Sequence, residues 1–341
     1  MGVKYLVTGA SGRTSMKIID ILLERGVPAS DLILVSRSPE RAEVARYGAR
    51  GATLRYGDFT DLASLPQAFA GGEKMYFMPM NHPPDEVDEV AVKTEVARIA
   101  KEAGIRYCVY QSFIGAGVVE SCEDDFQTEN ALRASGMDWV ILRTGIFAES
   151  LGREAKRYIR EGKIETHDPD RRRSYITRDD IAAAGAAVLL GEGHAGKIYY
   201  IFGSTLSLRE LGAELGKIAG KSIEIVKSDK PAWGGMGGQN APRNDLPALI
   251  GRPGQTVFEQ FEENARELLT GVPLTSDYKF GFQWHARGME RRPDDLGFTM
   301  HRLFKAARAG DAKAAAEFKA LRDANPARHA LWREIHPEWF A

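Results

Sequence analysis

Cysteine is scarce in this 341-residue chain, which contains only Cys108 and Cys122. Two cysteines cannot build the disulfide framework of a small secreted protein, and their spacing matches no zinc motif. We therefore expect reduced thiols and no bound metal.

The chain also lacks an excess of either charge, since its formal net charge at pH 7 is -1. Nucleic-acid-binding proteins usually carry a strongly basic surface, so this balance argues against that class. No apolar run approaches the length of a membrane-spanning helix, and the first residues are typical of a strand rather than of a signal peptide. We expect a cytoplasmic protein that binds neither nucleic acid nor membrane.

The most informative pattern that is present lies at the N-terminus. An apolar run from Val3 to Thr8 leads into a turn with glycines at positions 9 and 12, and a helical pattern follows from about residue 16. Glycine permits backbone angles and close approaches that side chains oppose, and a helix N-terminus attracts anions. The glycines depart from the spacing G-x-G-x-x-G, so the position of the turn between strand and helix carries the argument. We predict a dinucleotide site formed by Gly9, Ala10, Ser11, Gly12, Arg13 and Thr14.

The end of the second predicted strand, at residues 31–36, indicates which dinucleotide. An acidic residue at this place selects NAD, whereas an arginine accommodates the 2′-phosphate of NADP. Arg37 follows the strand here and no carboxylate does. We predict NADP(H), with Arg37 binding the phosphate and Arg13 as its partner. The alternative is that both arginines only solvate their turns.

Strand-like and helical runs alternate through the first 160 residues. This alternation predicts an α/β fold with a Rossmann-like, doubly wound parallel sheet covered on both faces. We expect residues 1–160 to form the nucleotide-binding domain. Residues 161–341 would form a smaller, mostly helical substrate domain with a helical C-terminal extension, and would return one or two strands to the main sheet. The predicted strands lie near 3–8, 31–36, 52–56, 74–80, 106–112 and 138–143, and the predicted helices near 13–25, 39–48, 61–69, 86–104, 122–135 and 147–161.

Ligands of such sheets bind at the carboxyl ends of the strands, so the turns there carry further candidates. After the third strand, Asp58 and Phe59 are predicted to contact the adenine, although an acid near a helix start also serves as a cap. After the fourth strand, Met78, Pro79 and Met80 are predicted to pass beside the pyrophosphate and the nicotinamide ribose. After the fifth, Ser112 and Phe113 follow; a serine that bonds its own backbone is the alternative for Ser112.

Several motifs occur in one order over about 150 residues. They include Val7-Thr8-Gly9-Ala10-Ser11-Gly12, Ser36-Arg37-Ser38-Pro39-Glu40, Gly57-Asp58-Phe59, Thr128-Glu129 and Leu142-Arg143-Thr144-Gly145-Ile146-Phe147. With them the chain resembles atypical short-chain dehydrogenases/reductases of the NmrA-like group, and within it the triphenylmethane reductase and NADPH:quinone reductase subgroup. The resemblance implies NADPH in an extended groove, a hydride passed to an aromatic, quinonoid or conjugated small molecule, and Phe147 lining the nicotinamide pocket.

One expected feature of short-chain reductases is missing. Most use a Tyr-x-x-x-Lys pair whose lysine lowers the pKa of the tyrosine, but the segment from Phe126 to Glu129 contains neither residue. Asp125 stands where the resembled group tends to carry lysine or histidine. A conjugated acceptor needs less assistance, because its electron-poor ring stabilises the developing charge. We therefore expect an oxidoreductase with Ser112, Asp125 and Tyr175 as candidate catalytic residues. The alternatives are an NADP(H)-binding redox sensor that acts through a protein partner, and an isomerase or lyase that retains its nucleotide.

The second half of the chain gives weaker signals. Three consecutive arginines, Arg171 to Arg173, are typical of a solvated turn, although such a cluster also suits an acidic substrate group. The aromatic C-terminal segment at residues 329–340 is expected to pack against the chain's own cleft or to form a homodimer.

Overall fold

The computed structural model describes residues 2–80, 87–119, 122–229, 241–263 and 310–324, with isolated positions at 265, 269, 303 and 306–308. The chain divides into two compact units, Met1–Lys279 and Phe280–Ala341. The sheets and the candidate site lie in the first unit. In the second unit, the structure describes a helix at Ala312–Ala324. No helix among the described residues is long and apolar enough to cross a membrane.

A seven-stranded parallel sheet forms the centre of the first unit. Its strands lie in the order β10-β6-β5-β4-β1-β2-β3. The seventh strand comes from beyond residue 160 and pairs with β6, Tyr199 opposite Leu142. The strands are β1 (Tyr5–Val7), β2 (Leu32–Ser36), β3 (Thr53–Tyr56), β4 (Lys74–Phe77), β5 (Tyr107–Phe113), β6 (Asp138–Thr144) and β10 (Lys197–Ile201).

The central strands are mostly apolar and buried because both faces of the sheet are covered. On β4, Tyr76 packs into the core on one face, whereas Met75 and Phe77 pack into the core on the other. The first face is covered chiefly by α1 and α7, and the second by α3, α4 and α5. The helices are α1 (Arg13–Glu24), α2 (Ala42–Gly48), α3 (Leu65–Phe69), α4 (Glu89–Glu102), α5 (Glu123–Ala134), α6 (Ala148–Glu161) and α7 (Arg178–Leu190).

A smaller set of strands and helices extends from the carboxyl edge of the sheet. The strands β7 (Ile146–Phe147), β9 (Arg173–Ile176) and β11 (Ser204–Leu206) form one short sheet, and β8 (Lys163–Thr166) pairs with β12 (Glu224–Lys227). A third apolar core joins them to α6, α8 (Leu208–Ala219) and α10 (Val257–Glu263). The remaining helix, α9 (Leu246–Ile250), packs against α7.

The predicted fold class is confirmed, and each of the six predicted strands overlaps an observed one. The fourth strand ends at Phe77 rather than at residue 80, because Pro79 has no N–H with which to continue the ladder. The helix predicted from residue 86 begins at Glu89, where the Asp88 carboxylate accepts a hydrogen bond from the Ala91 N–H at 2.9 Å. The boundary at residue 160 stays a prediction.

Candidate active site

The glycine turn forms a narrow cradle at the carboxyl end of β1. Gly9 has a φ of +58°, and the Gly12 N–H donates to the Gly9 carbonyl oxygen at 2.7 Å. A Cβ on Gly12 would lie 2.9 Å from that same oxygen. Helix α1 begins at the next residue with Gly12 as its N-cap, and glycine has no side chain to occupy the first N–H groups of the helix. The cradle therefore fits the pyrophosphate of a dinucleotide.

Ser15 takes the place where a third glycine often packs the helix onto the strand. It is fully buried, and its hydroxyl donates to the Thr8 carbonyl oxygen at 3.0 Å. This bond holds α1 close to β1 without a glycine, which explains how the departure from G-x-G-x-x-G is tolerated.

The end of β2 is bonded directly to the glycine turn. The Ser36 hydroxyl donates to the Ser11 hydroxyl at 3.2 Å, and the Ala10 N–H donates to the Val35 carbonyl oxygen at 3.0 Å. Arg37 follows immediately and is exposed. Its backbone therefore lies beside the turn, as binding of a 2′-phosphate there requires. Ser36 was not among the predicted contacts, although a polar residue ending an apolar strand was a usable signal.

The segment after β4 also lies against the turn. The Met78 N–H donates to Thr8 Oγ1 at 2.9 Å, and a Cβ on Gly9 would come within 3.3 Å of Met78 Cγ. Pro79 and Met80 continue from there at the same edge of the sheet. The structure thus brings the predicted pyrophosphate and ribose contacts together, while their role in binding stays a prediction.

The predicted adenine contacts are engaged in local interactions. Asp58 Oδ1 accepts hydrogen bonds from the N–H and the hydroxyl of Thr60, both at 2.9 Å. Phe59 packs edge-on against Phe77, with ring centroids 5.6 Å apart. Asp58 therefore stabilises its own turn, and contact with adenine stays a prediction.

Ser112 is almost completely buried and belongs to a charged network. Its hydroxyl donates to Glu129 Oε1 at 2.6 Å. Glu129 is fully buried and accepts from Arg143 at 2.8 and 2.6 Å and from Arg133 at 2.9 Å. Because the hydroxyl proton is committed to Glu129, only the oxygen lone pairs of Ser112 are left for another partner.

Phe147 is held by a buried ion pair that the sequence did not reveal. The Arg178 guanidinium lies over the Phe147 ring, 5.0 Å from its centroid. The backbone N–H of Arg178 donates to Glu149 Oε1 at 2.8 Å, and the guanidinium atom Nη1 of Arg178 lies 3.4 Å from Glu149 Oε2. Burial raises the pKa of Glu149, whereas the Arg178 charge lowers it. The pair fixes the ring that the resemblance places at the nicotinamide.

Tyr175 lies on β9 within the third core and is 1% exposed. Burial raises its pKa to about 12, although the neighbouring Arg173 charge opposes the rise. A phenol that delivers protons at neutral pH needs the opposite shift. Its surroundings therefore do not activate it as a proton donor.

The expectation of a solvated arginine turn holds only in part. Arg172 is exposed and pairs with Glu210 at 2.6 Å, but Arg173 is buried on β9. The prediction of solvation is wrong for Arg173, because it begins β9, a strand of which all four residues are buried. The aromatic C-terminal segment at residues 329–340, for which packing against the cleft or a homodimer was predicted, lies outside the described residues.

Asp125, the last predicted catalytic residue, stands in the first turn of α5. The Tyr110 hydroxyl donates to Asp125 Oδ1 at 3.3 Å, and Lys93 Nζ lies 3.9 Å from the same oxygen. Lys93 was missed, because a glutamate four residues before a lysine on a helix usually marks an exposed pair.

The sheet topology and the glycine turn together define a Rossmann-type dinucleotide-binding protein. Residues 9–191 match the model of the NAD(P)H-binding family, and the chain belongs to this family. The resemblance to NmrA-like reductases and the cofactor class are thereby confirmed.

Individual relatives agree with this assignment. Quinone oxidoreductase 2 of Escherichia coli is 32% identical over 221 residues, which cover 64% of this chain and 75% of the relative. The crystal structure of the E. coli NADPH-dependent quinone oxidoreductase QOR2 with NADPH has a TM-score of 0.67 at 26% identity, covering 76% of this chain and 99% of that one. The Citrobacter sp. triphenylmethane reductase complexed with NADP(H) shares the fold, with a TM-score of 0.66 at 23% identity and coverage of 76% and 99%.

Proposed function

We propose that the protein is an NADPH-dependent reductase of quinonoid or other conjugated aromatic acceptors. The observation that carries the proposal is the cradle at Gly9 and Gly12, which is bonded to the end of β2 where Arg37 stands. The sequence relationship to a quinone oxidoreductase supports the choice of acceptor.

The residues of the chain would bind and orient the two reactants. The turn from Gly9 to Thr14 would hold the pyrophosphate, and Arg37 would bind the 2′-phosphate. Phe147, fixed by Arg178, would form one wall of the nicotinamide pocket. When bound, the reduced nicotinamide supplies a hydride.

The side chains at the carboxyl edge of the main sheet support an acceptor that needs little activation. The segment from Phe126 to Glu129 contains no Tyr-x-x-x-Lys pair, Glu129 is bound by arginines, and burial raises the pKa of Tyr175. A simple ketone requires more activation than a quinone does, because the charge of the incoming hydride falls on a single carbonyl oxygen. A quinone distributes the charge of the incoming hydride over its ring.

A binding and turnover experiment tests this function. NADPH and NADH are titrated by fluorescence, and NADPH absorbance is then followed with a panel of quinones, triphenylmethane dyes, conjugated enones and aromatic ketones. We expect tighter binding of NADPH and its oxidation by the quinones or dyes. Tight binding without oxidation by any acceptor would favour the redox sensor, and oxidation by the ketones alone would contradict the acceptor class.

A further inference from the structure

Three side chains of alternating charge lie between α4, α5 and β5: Glu89, Lys93 and Asp125, here called the edge cluster. Lys93 Nζ lies 2.5 Å from Glu89 Oε1 and 3.9 Å from Asp125 Oδ1. The Lys93 side chain is 1% exposed and that of Glu89 is 7% exposed. Such burial is rare for an ion pair on a helix and calls for an explanation beyond surface solvation.

The edge cluster lies on the side of the sheet where ligands bind. In a parallel sheet the covering helices run back against the strands, so α4 and α5 both begin at the carboxyl edge. Glu89 is the first residue of α4, and Asp125 is in the first turn of α5. Asp125 is also the member that a ligand can reach, because 25% of its side chain is exposed.

The charges of the edge cluster favour one bound proton. With both carboxyl groups ionised and Lys93 charged, the net charge is -1, and a proton on one carboxyl group brings it to zero. Burial raises the pKa of Asp125, and Glu129 and Asp124 add to the rise, whereas Lys93 and Tyr110 oppose it. The net direction is upward.

The position of that proton follows from the hydrogen bonds. Burial raises the pKa of Tyr110 far above its usual value, so its hydroxyl stays protonated and donates to Asp125 Oδ1. Lys93 Nζ faces the same oxygen. A proton on Asp125 would therefore be held by Oδ2, the oxygen that Tyr110 and Lys93 do not face.

We propose that Asp125 is the proton donor of this reductase and that Glu89 and Lys93 are positioning residues that set its protonation state. The proposal rests on the proposed reductase function. Asp125 and Glu129 have the spacing of a Tyr-x-x-x-Lys pair, but Glu129 is bound by Arg143, so the cation beside the donor comes from α4 instead.

The proton step balances as follows for a quinone. The acceptor gains two electrons with the hydride, which leaves negative charge on an oxygen. The O–H bond at Asp125 Oδ2 breaks and an O–H bond forms on that oxygen, giving the hydroquinone. Asp125 remains as a carboxylate and takes its next proton from water.

The first test uses the protein without cofactor or acceptor. Infrared difference spectra between acidic and neutral pH are recorded for the wild type, Asp125→Asn and the control Asp124→Asn, whose acid is the exposed neighbour on the same turn. We expect a carboxylic acid band that persists above the usual titration range of aspartate, disappears in D125N and remains in D124N. A wild-type spectrum without that band, or a band that D125N retains, would overturn the assignment of the proton.

The second test measures kcat against pH with an accepted quinone. We expect the rate to fall as pH rises through the pKa of Asp125, and D125N to lower kcat by about 10²-fold while fluorescence shows unchanged NADPH binding. Glu89→Gln removes one negative charge from the edge cluster, which should lower the pKa of Asp125. The fall of kcat with rising pH should therefore occur at lower pH. Wild-type kcat in D125N, or a fall of kcat at an unchanged pH in E89Q, would contradict the donor role.

The two proposals fail in different ways. A wild-type protein that reduces no acceptor would overturn the reductase function, and the infrared band would still decide whether Asp125 holds the proton. Quinone reduction that is unaffected in D125N would leave the reductase function standing and remove the donor.

Discussion

Glu129 on α5 and Arg143 on β6 are joined by two hydrogen bonds, from Nε to Oε1 at 2.8 Å and from Nη2 to Oε2 at 2.6 Å. Both side chains are buried, and Ser112 on β5 donates to the same carboxylate. These hydrogen bonds hold α5 against β5 and β6 at the carboxyl edge of the sheet, where the candidate site lies.

Glu129→Gln should therefore destabilise the fold strongly. The substitution leaves the Arg143 charge buried without its counter-charge, which costs about 3–5 kcal/mol. Urea unfolding measures the change. The control is Glu102→Gln on α4, where an exposed ion pair with Arg98 is lost and the unfolding midpoint should hardly move. Equal midpoints for the two variants would show that the buried network contributes little.

Ser112→Ala separates anchoring from catalysis. Because the hydroxyl proton is bound to Glu129, we expect a loss of stability of about 1.5–3 kcal/mol, with NADPH binding and turnover nearly unchanged. Unfolding, fluorescence titration and steady-state kinetics measure the three quantities. A large fall in kcat with normal binding would instead place the hydroxyl in contact with the acceptor.

Arg37→Ala tests the choice of cofactor. Loss of a hydrogen bond to a charged phosphate should weaken NADPH binding by about 1.5–3 kcal/mol and leave NADH binding nearly unchanged. The matched control is Arg41→Ala, because Arg41 is a nearby arginine that is ion-paired with Glu43. If both cofactors lose equal affinity in R37A, the 2′-phosphate is not bound by Arg37.

Gly12→Ala tests the cradle. The new Cβ would lie 2.9 Å from the Gly9 carbonyl oxygen, so the backbone must move at the place where the pyrophosphate would bind. We expect at least a tenfold loss of affinity for NADPH and NADH alike, measured by fluorescence titration, with the far-UV circular dichroism unchanged. Gly26→Ala is the control for a strained glycine replacement outside the site, because Gly26 has a φ of +88° and no heavy atom lies within 4 Å of its Cβ position. Normal affinity in G12A would remove the turn from the cofactor site.

The main sheet was predictable because its central strands are buried on both faces and therefore form largely apolar runs that alternate with helical patterns. The glycine turn was predictable because its position between a strand and a helix restricts its meaning. The pairing of β10 with β6 joins Tyr199 to Leu142, residues far apart in the sequence, and no local pattern specifies such a partner.

The charged parts of the site were harder to predict. Glu89 and Lys93 have the spacing of a surface ion pair, and only the packing of α4 against α5 shows that they are buried. Glu149 and Arg178 lie in the first turns of α6 and α7, 29 residues apart in the sequence, so no local pattern predicts their contact. Asp125 was singled out because it stands where the resembled group tends to carry lysine or histidine, but its neighbouring cation, Lys93, could be found only from the fold.

The seventh strand also has a consequence for shortened versions of the protein. β10 covers the outer edge of β6, whose residues from Val140 to Thr144 are all buried. A chain cut at residue 160 would keep the glycine turn but would expose the backbone of β6 as an open template for other chains. The nucleotide-binding half alone should therefore self-associate and precipitate, and a soluble fragment must extend at least through Ile201.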